Sequence, residues 1–226
     1  MKKIVVLTGA GMSAESGLKT FRDSDGLWEN HNVYDVATPE AWERDPEMVL
    51  KFYNERRKQV RDAKPNKAHV ALGKLEEKYD IHIITQNIDD LHERGGSTQV
   101  IHLHGEINKV RSTVDPGLIK ELDHWEMKLG DLCEKGFQLR PHIVWFGEAV
   151  PMIEKAIPIV KMADVVMVIG TSMSVYPAAG LLNYATSSSQ KYYIDPKGFE
   201  GDNHYSFEII KETAGVGVPR LVDQLL

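Results

Sequence analysis

The chain has 226 residues, 42% of them hydrophobic and 27% charged, with a formal net charge of −6. That is enough for one sizeable core with an inserted subdomain, and the acidic balance without a basic tract excludes bulk nucleic-acid binding. The apolar N-terminal run is too short for a signal-peptide core or a membrane span, and the single cysteine, Cys133, allows no intrachain disulfide and fits a reducing cytoplasm.

The first element is the apolar run Ile4, Val5, Val6, Leu7, suited to a buried parallel strand. A turn, Gly9-Ala10-Gly11, follows it, and Ser13, Glu15 and Ser16 lead into a short helical segment. The spacing Gly9-x-Gly11-x-x-Ala14 fits a dinucleotide-binding turn, in which backbone N–H groups meet a diphosphate. A dehydrogenase would next show a second strand ending in an acidic residue about 20 residues on. Residues 21–28 are instead polar and turn-rich, a loop suited to folding over a ligand.

Helices are predicted from Thr38 as N-cap with Pro39 at the first position, over about 46–63, and over about 67–79. These break the strand–helix alternation, so they read as an insertion. The sheet resumes at 81–85 and runs directly into Gln86-Asn87-Ile88-Asp89. A short strand at 100–103 leads to His104-Gly105. Residues 106–139 read as a second insertion with one amphipathic helix on Leu118, Leu122 and Leu129. A strand over 142–147, a helix over 152–162 and a buried strand over 165–169 follow, the last ending in Gly170-Thr171-Ser172. Residues 178–185 are predicted helical, 192–195 form the last strand, and 218–226 a terminal helix.

Four polar or glycine turns therefore fall at strand ends, and on a parallel sheet they share one rim and describe one pocket. The expected fold class is α/β: a Rossmann-like doubly wound parallel sheet with a smaller, mainly helical domain formed by two insertions. The large domain takes about 1–25, 80–105 and 142–226. The small domain takes about 26–79 and 106–141.

The blocks GAGMSAESGLKTFRDSDGLW, TQNIDD, HLHG, VWFGE and GTSMSVYPAAG, in this order, resemble the signature blocks of the sirtuins, the NAD-dependent protein lysine deacylases. The resemblance implies a cleft between two domains that holds NAD, consumed as co-substrate, and an acyl-lysine protein substrate. It places Gly9, Ala10, Gly11, Ser13, Glu15, Phe21 and Arg22 in the cofactor loop. It puts Gln86, Asn87, Ile88 and Asp89 at the nicotinamide ribose and carboxamide, and Asn87 with the catalytic base His104. Gly170, Thr171 and Ser172 fall near the diphosphate and adenosine ribose, and Asp195 and Ala214 near the adenosine. Asp195 stands where the family often has Asn; it can still accept a hydroxyl proton. Val144, Phe146, Gly147 and Val175 lie on the two edges that hold the peptide as an added strand.

The chemistry agrees with these assignments. An amide oxygen is a weak nucleophile, so nicotinamide must leave from an oriented, water-shielded ribose. The ribose hydroxyl that then attacks needs a base titrating near neutrality, which histidine supplies. His82 and His102 read as core or turn histidines.

Tyr53 and Arg56 are i, i+3 on one helix. They resemble the Tyr-x-x-Arg pair of sirtuins that remove malonyl, succinyl and similar acidic acyl groups, since an Arg beside a Tyr hydroxyl can bind a carboxylate. The alternative is a solvated basic face shared with Arg57, Lys58 and Arg61. Most sirtuins also carry two CxxC pairs between the HG and FGE blocks. Here that segment has only Cys133, with Ser112 where a first ligand is expected, so no structural zinc is predicted. Mono-ADP-ribosyl transfer, NAD hydrolysis or a non-catalytic NAD-binding role are the other readings of the same pocket.

Overall fold

Continuous apolar runs are what strands covered on both faces require. They build the centre of the computed structural model, which describes residues 1–19, 27–28, 31–199 and 202–226. In chain order, β1 (Lys3–Thr8) is followed by two short 3-10 turns, Ala10–Met12 and Ala14–Ser16. β2 (Leu27–Trp28) and β3 (His31–Asn32) pair as a small hairpin. Four helices come next: α1 (Val33–Val36), α2 (Pro39–Arg44), α3 (Pro46–Asp62) and α4 (Lys67–Leu75). Then come β4 (Asp80–Thr85), α5 (Leu91–Arg94), β5 (Val100–His102), β6 (Gly105–Ser112), β7 (Ile119–Glu121) and β8 (Leu139–Ile143). The order closes with α6 (Met152–Lys161), β9 (Val165–Ile169), a 3-10 segment Ala178–Tyr184, β10 (Gln190–Ile194), β11 (Glu208–Ile210) and α7 (Ala214–Leu225).

The main sheet has the order β11-β10-β9-β1-β4-β5, with every pair parallel. Side chains alternate between its faces. Ile4, Val6, Ile81, Ile83, Val165, Met167 and Ile194 pack under α4 and α7. Val5, Leu7, Ile84, Val166, Val168 and Tyr193 pack under α6 and the Ala178–Tyr184 segment. This is the doubly wound arrangement. The chain reverses its direction of travel across the sheet at β1, and a crevice opens there at the strands' carboxyl ends.

Capping signals in the sequence set the first insertion. Thr38 Oγ1 accepts from the Ala41 N–H at 3.1 Å with Pro39 behind it, and Asp45 Oδ1 accepts from the Met48 N–H at 3.0 Å with Pro46 behind it. The third helix, α4, departs from its expected place within this insertion. It packs instead on the parallel sheet against α7, because Ala68, Ala71, Leu72 and Leu75 present one apolar stripe to that core.

The second insertion overturns its expectation. The helix expected on Leu118, Leu122 and Leu129 does not form, and β7-β6-β8 make a three-stranded antiparallel sheet. Leu122 is buried but Leu129 is 44% exposed, so the leucines share no stripe. The strand expected over 142–147 ends at Ile143 and belongs to this small sheet, and residues 145–148 form a turn closed by the Glu148 N–H on the Trp145 carbonyl. The expected last strand is followed by another, β11.

This small sheet is fastened to α3. Leu50 of α3 joins Val110, Leu122, Met127 and Leu139 in an apolar cluster, with Trp42 and Cys133 against it. Around it α3 binds main-chain groups. Arg57 donates to the carbonyls of Ile107 and Trp125 at 2.7 Å each, and Asn54 bonds both the N–H and the carbonyl of Met127. Arg61 donates to the carbonyls of Leu122 and Asp123. Arg57 does not belong to a solvated face: it is fully buried, and burial brings its pKa down to about 10, assisted by Arg61. Among the described residues, no helix is long and apolar enough to cross a membrane.

Removing Arg57 leaves the buried Ile107 carbonyl and the partly buried Trp125 carbonyl without this donor. Arg57→Leu should therefore destabilise the protein by about 2–4 kcal/mol, read as a lower denaturant midpoint.

Candidate active site

The four strand-end turns converge. Ala10, Gly11, Ser13 and Glu15, then Gln86, Asn87, Ile88 and Asp89, then His104, then Gly170, Thr171 and Ser172 line one cavity of about 670 Å³. That size suits a small-molecule ligand. Asp195 and Ala214 complete the wall at the β10 and α7 end. Gly9 lies just behind it, its carbonyl accepting from Asn87 Nδ2 at 3.1 Å.

The glycines serve the protein before they serve a ligand. Gly11 N–H donates to the Gly170 carbonyl at 2.9 Å, and a Cβ on Gly11 would lie 2.7 Å from Gly170 Cα. Gly170 has φ +60°, a conformation that favours glycine. The two turns thus interlock, backbone on backbone. The amides of Ala10, Thr171 and Ser172 take no protein hydrogen bond among the described residues, so they remain as donors for an anion such as a diphosphate.

Asn87 sits at the centre of a small network. Its N–H donates to Thr85 Oγ1, and Nδ2 donates to Ser13 Oγ at 3.1 Å as well as to Gly9. Ser13 Oγ donates to Asp89 Oδ2 at 3.0 Å. Burial pushes the Asp89 carboxyl above the usual carboxylate range, against the Leu91 N–H and Ser13 hydroxyl that stabilise its charge. From below, His102 Nδ1 holds the Asn87 carbonyl at 2.9 Å, and its Nε2 pairs with Glu93 at 2.8 Å. Burial opposes charge on His102, but Glu93 outweighs it and lifts the pKa.

His104 leaves β5 at the rim. Its Nδ1 meets the Gln86 carbonyl at 3.1 Å, and a carbonyl only accepts, so the proton sits on Nδ1 and Nε2 is the basic nitrogen toward the cavity. Burial lowers the pKa of this imidazole, and the Gln86 bond partly offsets that. Gly105 follows with φ +87°, and any side chain there would strike the His142 carbonyl.

Beyond His104 the wall is formed by the predicted peptide edges: Val144, Phe146 and Gly147 on one side and Val175 on the other. The Val144 N–H donates to the His104 carbonyl, the Phe146 N–H to Ala37 and the Trp145 N–H to Glu148 Oε2. These three amides are therefore already engaged within the protein. Tyr53 and Arg56 line the same cavity. Arg56 is buried, with Nη1 donating to Gln59 Oε1 at 3.2 Å.

Two expected residues, Phe21 and Arg22, lie outside the described residues. Glu15 also braces α7, its carboxylate accepting from the Gly215 N–H at 2.6 Å near that helix's N-terminus. Trp145 and Glu148 line the cavity too, and membership of the VWFGE block is the one sequence signal that could point to them. Lys197 and Thr213 are further lining residues, and no local signal in the sequence marks them. Among the described residues, no three His, Cys, Asp or Glu side chains are placed to share a metal. Cys133 Sγ donates to Ser112 Oγ at 3.3 Å.

The Sir2 family profile matches residues 9–177. The chain belongs to the Sir2 family. Among curated relatives of this Sir2 protein, an NAD-dependent protein deacylase of Bacteroides thetaiotaomicron is 52% identical, covering all of this chain and 99% of the relative. One of Helicobacter pylori is 51% identical, covering all of this chain and 98% of the relative. Among solved structures, a Sir2 homologue in complex with NAD superposes with a TM-score of 0.89 at 41% identity, over 99% of this chain and 89% of that one. A Sir2 complex with a deacetylated p53 peptide and 3'-O-acetyl ADP-ribose superposes with 0.83 at 31% identity, over 98% of this chain and 92% of that one.

Buried and half-buried histidines make the stability of this Sir2 protein pH-dependent. Burial brings His69 down to about 4 and His92 well below its usual value, with His82, His104 and His142 also lowered. The unfolded chain then binds more protons than the folded one, so stability is full above about pH 6.5 and is lost as pH falls toward 4. His102 and the raised carboxyl of Asp89 act in the opposite sense. The melting temperature should fall between pH 7 and pH 5, and His92→Asn should flatten that fall.

Proposed function

We propose that this Sir2 protein is an NAD-dependent protein lysine deacylase that favours acidic acyl groups such as succinyl and malonyl and retains deacetylase activity. It consumes NAD and one water for each acyl-lysine, and its products are nicotinamide, free lysine and an O-acyl-ADP-ribose. The observation that carries the acyl preference is that Tyr53 and Arg56 lie in the wall of the same cavity as His104 and Asn87.

Each part of the reaction has its own residues. The interlocked glycine turns and the amides of Ala10, Thr171 and Ser172 hold the diphosphate of NAD. Asp195 and Ala214 bound the adenosine end. Asn87, fixed by Gly9 and Ser13, orients the nicotinamide ribose, with Ser13 and Asp89 behind it. NAD supplies the ribosyl carbon that an acyl oxygen attacks. His104 Nε2, neutral because burial lowers its pKa, takes the proton of a ribose hydroxyl. The guanidinium of Arg56 and the hydroxyl of Tyr53 receive the acyl carboxylate; burial pushes the Tyr53 phenol well up, so it stays a donor. In this reading the contacts of α3 hold the small sheet, and no structural zinc is required.

Wild type and two variants, assayed on succinyl- and acetyl-lysine peptides with NAD, test this. Wild type should release nicotinamide on both, faster on succinyl, with an acid limb below about pH 6.5, the ordinary histidine range. His104→Ala should lose nicotinamide release on both. Arg56→Met should cut the succinyl-to-acetyl ratio of kcat/KM at least about tenfold, the scale of one hydrogen bond between charged groups; an equal loss on both peptides would refute the preference. Metal analysis of the purified protein should find no stoichiometric zinc, and a chelator should leave its melting temperature unchanged.

A further inference from the structure

Behind the acyl-group pair lies a second set of buried contacts. Trp145 is 2% exposed, and its indole Nε1 donates to the Tyr53 hydroxyl at 3.0 Å. Indole N–H is only a donor, so the Tyr53 oxygen accepts here and its own proton must point away from Trp145. Trp145 is itself clamped. The Arg140 guanidinium lies 3.3 Å from the centroid of its ring, and its main-chain N–H donates to Glu148 Oε2 at 2.8 Å.

Glu148 ties the clamp together. Arg140 donates to both of its oxygens, at 2.7 and 3.0 Å, and to the Ile143 carbonyl. Arg111 donates to both oxygens at 3.1 Å. Arg111 and Arg140 face each other across β6 and β8, a like-charge pair that Glu148 neutralises. Burial works against charge on Glu148, but the arginines hold its carboxyl below the usual range.

We propose that Trp145 is a specificity-determining positioning residue: its indole N–H fixes the Tyr53 hydroxyl as a donor toward an acyl carboxylate, and the Arg140–Glu148 pair fixes Trp145. This rests on the acidic-acyl reading of the same cavity. Each link polarises the next. A cation over the indole ring makes its N–H a stronger donor, and accepting that bond makes the Tyr53 O–H a stronger donor in turn. A neutral acetyl group offers no carboxylate to the end of this chain, so the effect is confined to acidic acyl groups.

Trp145→Phe keeps an aromatic ring under Arg140 and removes the indole N–H. We assay wild type, Arg56→Met, Tyr53→Phe, Trp145→Phe and the Tyr53→Phe/Trp145→Phe pair on succinyl- and acetyl-lysine peptides, with melting curves to establish folding. The expected result is that Trp145→Phe lowers the succinyl-to-acetyl ratio of kcat/KM about tenfold, through KM rather than kcat, the scale of one hydrogen bond. The double variant should be no worse than Tyr53→Phe alone, because Trp145 acts through that hydroxyl. If Arg56→Met loses the preference but Trp145→Phe keeps it, or if the two aromatic variants add independently, the inference is overturned while the acyl reading stands. If wild type shows no succinyl preference, or Arg56→Met leaves it intact, the acyl reading fails and takes this inference with it.

Discussion

The site depends on one close approach, that of the Gly9–Met12 turn to Gly170. These two turns end neighbouring strands, β1 and β9; Gly11 meets the Gly170 backbone directly, and the Thr171 side chain packs against Gly9. Because the turns interlock, their unused amides are fixed in one wall. The entropy of arranging that wall is spent during folding, not when a ligand arrives. Asn87 extends the same frame, since its side chain bonds the carbonyl of Gly9 and the hydroxyl of Ser13. A shift of either turn would carry the Asn87 side chain with it.

The second half of the site is positioned by α3. It grips the main chain of the small sheet through Asn54, Arg57 and Arg61, and the adjoining positions Tyr53 and Arg56 line the cavity. One helix thus carries both the fastening of the small domain and the side chains proposed to choose the acyl group. Arg57 is buried with its Nε and Nη1 bonded to the Ile107 and Trp125 carbonyls and Asn54 Oδ1, which offsets part of its loss of water. The small sheet in turn backs Gly105 with the main chain of His142 and leads into Trp145. Val49, Phe52 and Tyr53 of α3 share one apolar cluster with Ile107, Ile143 and Trp145, so the two insertions are one unit in packing.

Much of this is legible in the sequence for a physical reason. Buried parallel strands need unbroken apolar runs, and β1, β4 and β9 announce themselves that way. Caps are local, so Thr38 with Pro39 marks a helix start within four residues. The rim turns follow directly from the strands they end. The 106–139 segment is not legible in the same way, because its order comes from partners distant in sequence. Leu122 is buried by Leu50 of α3, and Arg57 holds Trp125, contacts that no local periodicity encodes. The same holds for Trp145 and Glu148. Their block is visible in the sequence, but their partners Tyr53, Arg111 and Arg140 are brought to them only by the fold. Helix α4 looks like part of an insertion because it interrupts the strand–helix alternation, and only α7, from the other end of the chain, shows which core it joins.

The central claim is that NAD is consumed in transferring the acyl group, and the stoichiometry of one reaction mixture tests it most directly. With a succinyl-lysine peptide and NAD, one nicotinamide and one succinyl-ADP-ribose are predicted for each lysine freed. Free succinate with NAD left intact, or nicotinamide released without any lysine freed, would contradict it.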